Sequence, residues 1–485
     1  MPTTWEVRTG GNAANGGGFL TGGSGTDYSK QNSAQVAYTD LVIDATTNTN
    51  ATSVATPFTS NHVGNWLNFT GGTGFTVQRA RIVSVAAGVA TFDRSLGTLS
   101  STGGTGNLGG ALAGPEDADA SYGAGDVVNI ASGNYTKTST RTLTCDGTLA
   151  GGNISFIGYL AGGSPADADV TEASMPVFTS ATNSVAIFTT NNANFLRFRN
   201  IKITHTAGTR GVGFTNATAA TTNGTRFENC IMDGCLWAVD FGNGGSSTSN
   251  QGCEFYTCKA LNGTAGGFRL LGNTASTIVM NCYFKANAGP GISLGTTSVN
   301  VVGDIIGCVF NGQTGASGHG VLVACTTATT LPAAIRIIGN DFYNNAQSGL
   351  RFEYTTGRGT GHTVVNNSFV NNGAYGVSCA TAGILDGTQV VCRSNAFYNN
   401  TSGARQNFQT GEGDITLTGV PFTNAGSDDF TLDNTASEGA AMRSVAWPNR
   451  VGAVGATAGT NYGDVGPLQV QPSAGGGTVA YGFAG

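Results

Sequence analysis

From residue 229 onward one short pattern returns: Asn229-Cys230-Ile231-Met232, Gly252-Cys253-Glu254-Phe255, Asn281-Cys282-Tyr283-Phe284, Gly307-Cys308-Val309-Phe310, Gly339-Asn340-Asp341-Phe342, Asn366-Asn367-Ser368-Phe369 and Ser394-Asn395-Ala396-Phe397. Counting from Cys230 through Cys253, Cys282, Cys308, Asn340 and Asn367 to Asn395 gives steps of 23, 29, 26, 32, 27 and 28 residues. So irregular a period belongs to a solenoid whose loops vary, and excludes a rigid helical repeat. A second motif follows each first one, a Gly before an alternating strand: Gly267-Phe268-Arg269-Leu270, Gly291-Ile292-Ser293-Leu294, Gly320-Val321-Leu322-Val323, Gly349-Leu350-Arg351-Phe352 and Gly376-Val377-Ser378-Cys379. A third strand precedes the next repeat, as in Thr277-Ile278-Val279-Met280 and Ala334-Ile335-Arg336-Ile337. Three short strands per period, bounded by Gly, Asn or Ser and with no helical pattern among them, describe one coil of a triangular solenoid. The expected fold is all-β: a right-handed parallel β-helix with three strands per coil.

Stacked coils place equivalent side chains ~4.8 Å apart, so like residues form ladders. Phe255, Phe284, Phe310, Phe342, Phe369 and Phe397 are read as one interior aromatic column capped by Met232, each buried ring contributing ~1.5–3 kcal/mol. Cys230, Cys253, Cys282 and Cys308 form a neighbouring column that continues as Asn340, Asn367 and Asn395. Parallel Cβ vectors in such a stack give poor disulfide torsions, so these thiols are expected to be reduced.

Upstream, Gly125-Asp126-Val127-Val128-Asn129-Ile130 with Gly133-Asn134-Tyr135 reads as the first coil, and residues 195–203 as a later one. Residues 1–115 hold further strand candidates, Leu41-Val42-Ile43, Trp66-Leu67-Asn68-Phe69 and residues 80–92 among them, and are assigned as a β-rich region that caps the open end of the solenoid. The solenoid is assigned to 116–470, with Asp428-Asp429-Phe430-Thr431-Leu432 and Gly463-Asp464-Val465-Gly466-Pro467-Leu468-Gln469 as closing coils. Residues 471–485 form a tail whose Gly475-Gly476-Gly477 precedes the alternating Val479, Tyr481 and Phe483, a strand suited to docking on a partner subunit.

Composition sets outer bounds. The 485 residues include 76 Gly and only 10% Asp, Glu, Lys and Arg, yet 25 Phe and 13 Tyr, which separates the chain from disordered Gly-rich sequences. A net charge of −6 with no long basic run argues against nucleic acid as a partner. No ~18-residue apolar stretch could cross a membrane, and no Sec-type signal is read at the N-terminus.

The entry at 125–135, the Asn/Cys-x-Phe coils and the close at 463–469 together resemble the pectate-lyase-like right-handed β-helix superfamily, over residues ~116 to ~470. That resemblance implies an architecture; the same fold hosts polysaccharide lyases, hydrolases, adhesins and phage tailspikes. Trp5-Glu6-Val7-Arg8-Thr9-Gly10-Gly11-Asn12 with Asn15-Gly16-Gly17-Gly18-Phe19 is similar to openings of β-helical proteins of tailed phages. The resemblance implies a location on the virion, after synthesis in the host cytoplasm.

Hydrolysis of a polysaccharide on this scaffold needs two facing carboxylates, and lyase chemistry needs acidic Ca²⁺ ligands with an Arg or Lys base. Glu254, Asp341 and Glu353 are the candidates for a glycosidase acid or nucleophile, with solvated wall residues as the alternative. Aligning the second strands on their Gly gives one outward column, Asp240, Arg269, Ser293, Leu322, Arg351, Ser378 and Arg405, in which Asp240 and Arg269 form a surface pair worth ~0–1 kcal/mol. The four His, at 62, 205, 319 and 362, show no metal-ligand spacing. Residues 104–109 match a dinucleotide fingerprint but lack the helix it requires, and read as a turn-rich loop. Asn-x-Ser/Thr triplets such as Asn68-Phe69-Thr70 are expected by chance in so Asn- and Thr-rich a chain.

The expected function is therefore structural or receptor-binding (adhesive), on the capsid or tail of a tailed-phage particle, with no cofactor and no metal. The alternative is a polysaccharide-degrading tailspike or pectate-lyase-like enzyme. Expected partners are other virion subunits, host-surface polysaccharide and further copies of the same chain, a trimer among the arrangements open to it.

Overall fold

The computed structural model describes residues 1–442 except 164, 166–169, 217–222, 242–250, 272–273, 296–300, 325–333, 355–360, 384 and 386–389. The chain divides into two compact units, Met1–Ser180 with Thr190–Ile203, and Ala181–Thr189 with Thr204–Gly485. Both contain coils of three parallel strands.

The first unit opens with the strand Thr3–Val7, which pairs in parallel with Val127–Ala131 and antiparallel with Gly18–Leu20. Asp126 explains that register: its carboxylate accepts the Thr3 amide at 2.7 Å and the Trp5 indole N–H at 2.9 Å. The N-terminal segment thus belongs to the first sheet and covers its edge strand. Strands between Val36 and Leu108 then close a separate antiparallel barrel around Tyr38, Leu41, Leu67, Phe69, Ile82 and Phe92. Gly104–Leu108, expected as a loop, is a barrel strand paired on both edges, because its glycines admit close neighbours; a Cβ at Gly106 would meet the Asn68 carbonyl oxygen at 2.8 Å.

In the second unit each coil contributes one strand to each of three sheets. Sheet 1 includes Arg226–Glu228, Glu254–Tyr256, Thr274–Met280, Val301–Ile306, Ala334–Ile338 and His362–Val365. Sheet 2 runs through Ile231–Asp233, Lys259–Leu261, Tyr283–Lys285, Val309–Asn311, Asp341–Tyr343, Ser368–Val370 and Ala396–Tyr398. Sheet 3 includes Trp237–Phe241, Gly266–Leu270, Ile292–Leu294, Val321–Val323, Leu350–Phe352 and Tyr375–Cys379.

The corner between sheets 1 and 2 is two residues long in every one of these coils. Its first residue is left-handed, with φ between 49° and 64° at Asn229, Thr257, Asn281, Gly307, Gly339 and Asn366. Asn and Gly tolerate that backbone best, which is why they recur at the head of the sequence motif. The second residue points inward as Cys230, Cys258, Cys282, Cys308, Asn340, Asn367 and Asn395, all buried.

This register corrects one column. Cys253 and Phe255 belong to sheet 1, whereas Cys258 and Ala260 occupy the corner and the sheet 2 position of that coil. The true steps are 28 from Cys230 to Cys258 and 24 from Cys258 to Cys282. Phe255 instead stacks on Phe227, with centroids 5.1 Å apart and rings 2° from parallel. Met232 meets Ala260, and the aromatic stack begins at Phe284. From there Phe310, Phe342, Phe369 and Phe397 follow at 4.9, 4.9, 4.8 and 5.2 Å, each ring nearly parallel to the last. Arg405 ends the stack. Its strand is one residue out of the expected register, so Gln406 pairs with Ser378 while the Arg405 guanidinium turns over the Phe397 ring at 4.1 Å and binds Asp414.

Two amide ladders brace the corners. Asn340 donates to Asn367 at 2.9 Å and Asn367 to Asn395 at 3.0 Å. A second ladder at the next corner includes Asn287 to Gln313 at 2.9 Å, Asn345 to Asn372 at 2.8 Å and Asn372 to Asn400 at 2.8 Å. Each ladder satisfies buried amides that would otherwise cost ~1–3 kcal/mol apiece.

Residues 428–432, expected to close the solenoid as a coil, form an antiparallel hairpin with Phe422–Asn424. Leu417, Phe422, Ala425, Phe430, Leu432 and Met442 pack on the outer face of sheet 2 against Val370, Ala396, Val309 and Tyr343. This face carries enough apolar surface to hold the segment by burial. The expected closing coil at 463–469 and the tail with Val479, Tyr481 and Phe483 lie outside the described residues.

Candidate functional site

The three carboxylates singled out from sequence are placed on three different walls. Glu254 faces outward on sheet 1, where Arg226 reaches it at 3.5 Å and also binds Glu228. Glu353 follows a sheet 3 strand and lies 3.9 Å from the Arg351 guanidinium. Asp341 is on sheet 2 and is no solvated wall residue, being 1% exposed. The C-terminal hairpin lies on this face, and Asp341 keeps one hydrogen bond, from the Ser368 hydroxyl at 2.5 Å. Burial drives its carboxyl well above the ordinary value. No two of the three are brought together.

A groove that the sequence did not announce opens on the outer face of sheet 1, with a volume of about 360 Å³. Its floor carries Asp304 and Arg336, adjacent in register, with Arg336 Nε donating to Asp304 Oδ1 at 2.5 Å and Nη2 donating to Oδ2. That hydrogen bond raises the pKa of the guanidinium further. The space beside the pair exists because the adjoining residues Val302, Ala334 and Gly361 are small. Thr277, Ile278 and Thr363 complete the lining. Period-two reading of single strands marks Asp304 and Arg336 as outward, but only the stacking register makes them partners.

Charged side chains along the same sheet repeat the theme. Arg226 lies over the Tyr256 ring at 4.6 Å while holding Glu254 and Glu228, and Arg393 reaches Glu412 at 3.3 Å. On sheet 3 the expected Asp240–Arg269 pair forms, yet it is no weak surface pair. Asp240 is fully buried, Arg269 binds it in the two-pronged mode, and the guanidinium lies 5.2 Å from the Trp237 ring centroid. The aromatic cover excludes water from the carboxylate, which changes the energetic class of the pair.

Among the described residues no three His, Cys, Asp or Glu side chains are arranged to hold a metal ion. Nine described cysteines are free thiols, and all are buried. No helix among the described residues is long and apolar enough to cross a membrane.

Stacked three-strand coils define a parallel β-helix protein. No family model matches the sequence, and no curated protein matches it. Solved structures that resemble the chain include Geobacillus virus E2 ORF18, at 14% identity and TM-score 0.39, covering 61% of this chain and 53% of that one. This chain thus spans about half the length of the virus protein. A rhamnogalacturonan lyase gives 15% identity and TM-score 0.40 over 59% of this chain and 83% of the enzyme. The catalytic domain of a GH87 alpha-1,3-glucanase in complex with nigerose gives 10% identity and TM-score 0.33, over 79% and 90% of the two chains.

Proposed function

We propose that this chain is an adhesive β-helical protein of a tailed-phage particle, which binds polysaccharide along the outer face of sheet 1. One observation carries the binding role: the groove of about 360 Å³ with the Asp304–Arg336 pair exposed at its floor. A fixed carboxylate beside a planar guanidinium offers acceptors and donors at set positions, which suits the vicinal hydroxyls of a sugar. Small residues around the pair leave room for a pyranose ring. The particle context rests on the resemblance of residues 5–19 to openings of phage β-helical proteins, and other virion subunits are the natural partners of the tail at 472–485.

Adhesion is favoured over cleavage by the state of the carboxylates on this face. A glycosidase acid must hold a proton near neutral pH, and its partner must be free to attack or to activate water. Here Asp304 is tied to Arg336, and Glu254 shares Arg226 with Glu228.

The test uses the full chain, immobilised host-surface polysaccharide and a reducing-end assay. Retention of the polysaccharide without new reducing ends is expected, with Arg336→Ala weakening retention by about tenfold, the loss of roughly one charge-assisted hydrogen bond. Steady release of reducing ends that stops in Glu254→Gln would establish the cleaving enzyme instead. Mass spectrometry of purified virions tests the location independently.

A further inference from the structure

Five arginines of the second unit, Arg226, Arg269, Arg336, Arg393 and Arg405, each have a carboxylate oxygen within 3.5 Å. Arg351 differs. It lies in the outward row of sheet 3, in register with Leu322 on one side and Ser378 on the other. Its nearest carboxylate contact is Glu353, at 3.9 Å. Its Nη1 makes two long contacts, to Gln406 Oε1 at 3.3 Å and to Ser378 Oγ at 3.5 Å, and its buried Nε has no hydrogen-bond partner. A guanidinium has five donors in a planar fork. Most of this fork is unfilled.

The surroundings are rich in donors. The Ser378 and Ser348 hydroxyls are 3.0 Å apart and both are buried. His319 is 9% exposed, and its Nδ1 has no hydrogen-bond partner either. Burial, with the Arg351 charge second, pushes the imidazole down to about 4 against a hydrogen bond to the Ser348 backbone, so near neutral pH the ring is uncharged and its one N–H is turned to that backbone. Two unfilled buried nitrogens beside two hydroxyls are costly for folding unless something occupies them.

We propose that the Arg351–His319 corner of sheet 3 is a binding site for a small oxyanion, the carboxylate of an acidic sugar or a phosphate group. The guanidinium supplies charge and a two-pronged contact, the Ser348 hydroxyl supplies a neutral donor, and Glu353 meets the guanidinium only at 3.9 Å, without a hydrogen bond. The site is on a different wall from the sheet 1 groove and stands or falls separately from it.

Calorimetric titration of the full chain with galacturonate, with inorganic phosphate and with neutral galactose tests the assignment. At least one anion is expected to bind in the millimolar range, and galactose is not. Arg351→Gln should weaken anion binding at least tenfold, whereas Lys30→Gln, which removes an exposed cation from the first unit, should leave it unchanged. Binding of galacturonate alone identifies an acidic sugar, binding of phosphate alone a phosphate group, and binding of both a general oxyanion site. Silence toward both anions, or an Arg351→Gln protein that binds as the parent does, overturns the proposal. A readout that needs no variant is the imidazole nitrogen resonance of His319, which should move on titration with the bound anion and must do so for the assignment to survive.

Discussion

The Asp428 carboxylate takes the Lys285 ammonium at 2.5 Å, across 143 residues of chain. The same carboxylate accepts the Tyr283 hydroxyl at 2.5 Å and the Asn311 amide at 2.9 Å. Asp428 itself sits in the left-handed region, with φ of 64°, at the tip of the C-terminal hairpin. One residue therefore clasps that hairpin to three side chains of sheet 2.

The clasp should open in acid. Partial burial raises the Asp428 carboxyl, but the donors from Lys285 and Tyr283 outweigh it and hold the group below its ordinary value of 3.8. A depressed carboxyl contributes stability that is present above the unfolded value and lost as pH falls through the folded one. Amide hydrogen exchange across residues 422–432 should be slow at neutral pH and quicken below pH ~4. In Asp428→Asn the same residues should exchange faster already at neutral pH, and equal protection in the two proteins would show that apolar packing alone holds the segment.

Asp341 has the opposite sign. Burial raises its carboxyl, so the folded protein retains a proton that the unfolded chain releases, and stability falls as pH rises from the ordinary value of 3.8. Asp341→Asn keeps the bond to Ser368 and removes the ionisation. Its melting temperature should exceed that of the parent at pH 8 and converge on it at pH 4; a difference independent of pH would contradict the buried, protonated acid.

Replacing Arg269 by Ala leaves the Asp240 carboxylate buried without its counter-charge, so a loss of about 3–5 kcal/mol is expected in denaturant unfolding. A solvent-facing pair would lose under ~1 kcal/mol. The covering Trp237 ring makes the distinction measurable, because its fluorescence should change with the same variant.

Phe342 has rings on both sides, at 4.9 and 4.8 Å, and no exposed surface. Truncation to Ala opens a cavity that the flanking rings cannot fill, for an expected cost of about 3–5 kcal/mol by equilibrium unfolding. Phe255→Ala should leave the Phe284 to Phe397 stack intact, and it provides the internal comparison for the corrected register.

The described thiols, all buried, should be silent in the native protein. Burial lifts Cys253, Cys235 and Cys392 to about 12, so these three carry almost no thiolate at neutral pH. A chromogenic disulfide reagent should register almost no reaction from the nine described cysteines until denaturant is added, and then all ten cysteines of the chain without any reductant. Fewer thiols on unfolding would reveal native crosslinks.

The coil and two of its ladders could be read from sequence because stacking repeats the same residue at the same depth. Where a coil substitutes within the ladder, the pattern misleads: Ala260 stands in the Phe column, and the chance Cys253-Glu254-Phe255 triplet imitates the motif one strand early. The left-handed residue is the better marker, since Asn229, Asn281, Gly307, Gly339 and Asn366 all open the corner; Thr257 and Ser394 depart from that pattern, and Thr257 hid the true step. The second amide ladder was also visible, as an Asn or Gln three residues after each Phe from Phe284 to Phe397. Pairings between coils were harder to see. Asp304 and Arg336 are 32 residues apart, and Asp341 looks solvated until the C-terminal hairpin is laid over it.

The fixed two-residue corner carries an evolutionary consequence. In the second unit most variation in coil length falls on the other two connections, so a recombination event that joins one left-handed corner to the next adds or removes a whole coil without disturbing either neighbour. Every such event changes the height of the stack by one strand spacing, ~4.8 Å. A gene of this design can therefore lengthen or shorten its three walls by copying or losing segments, while point mutation is left to change the side chains those walls present.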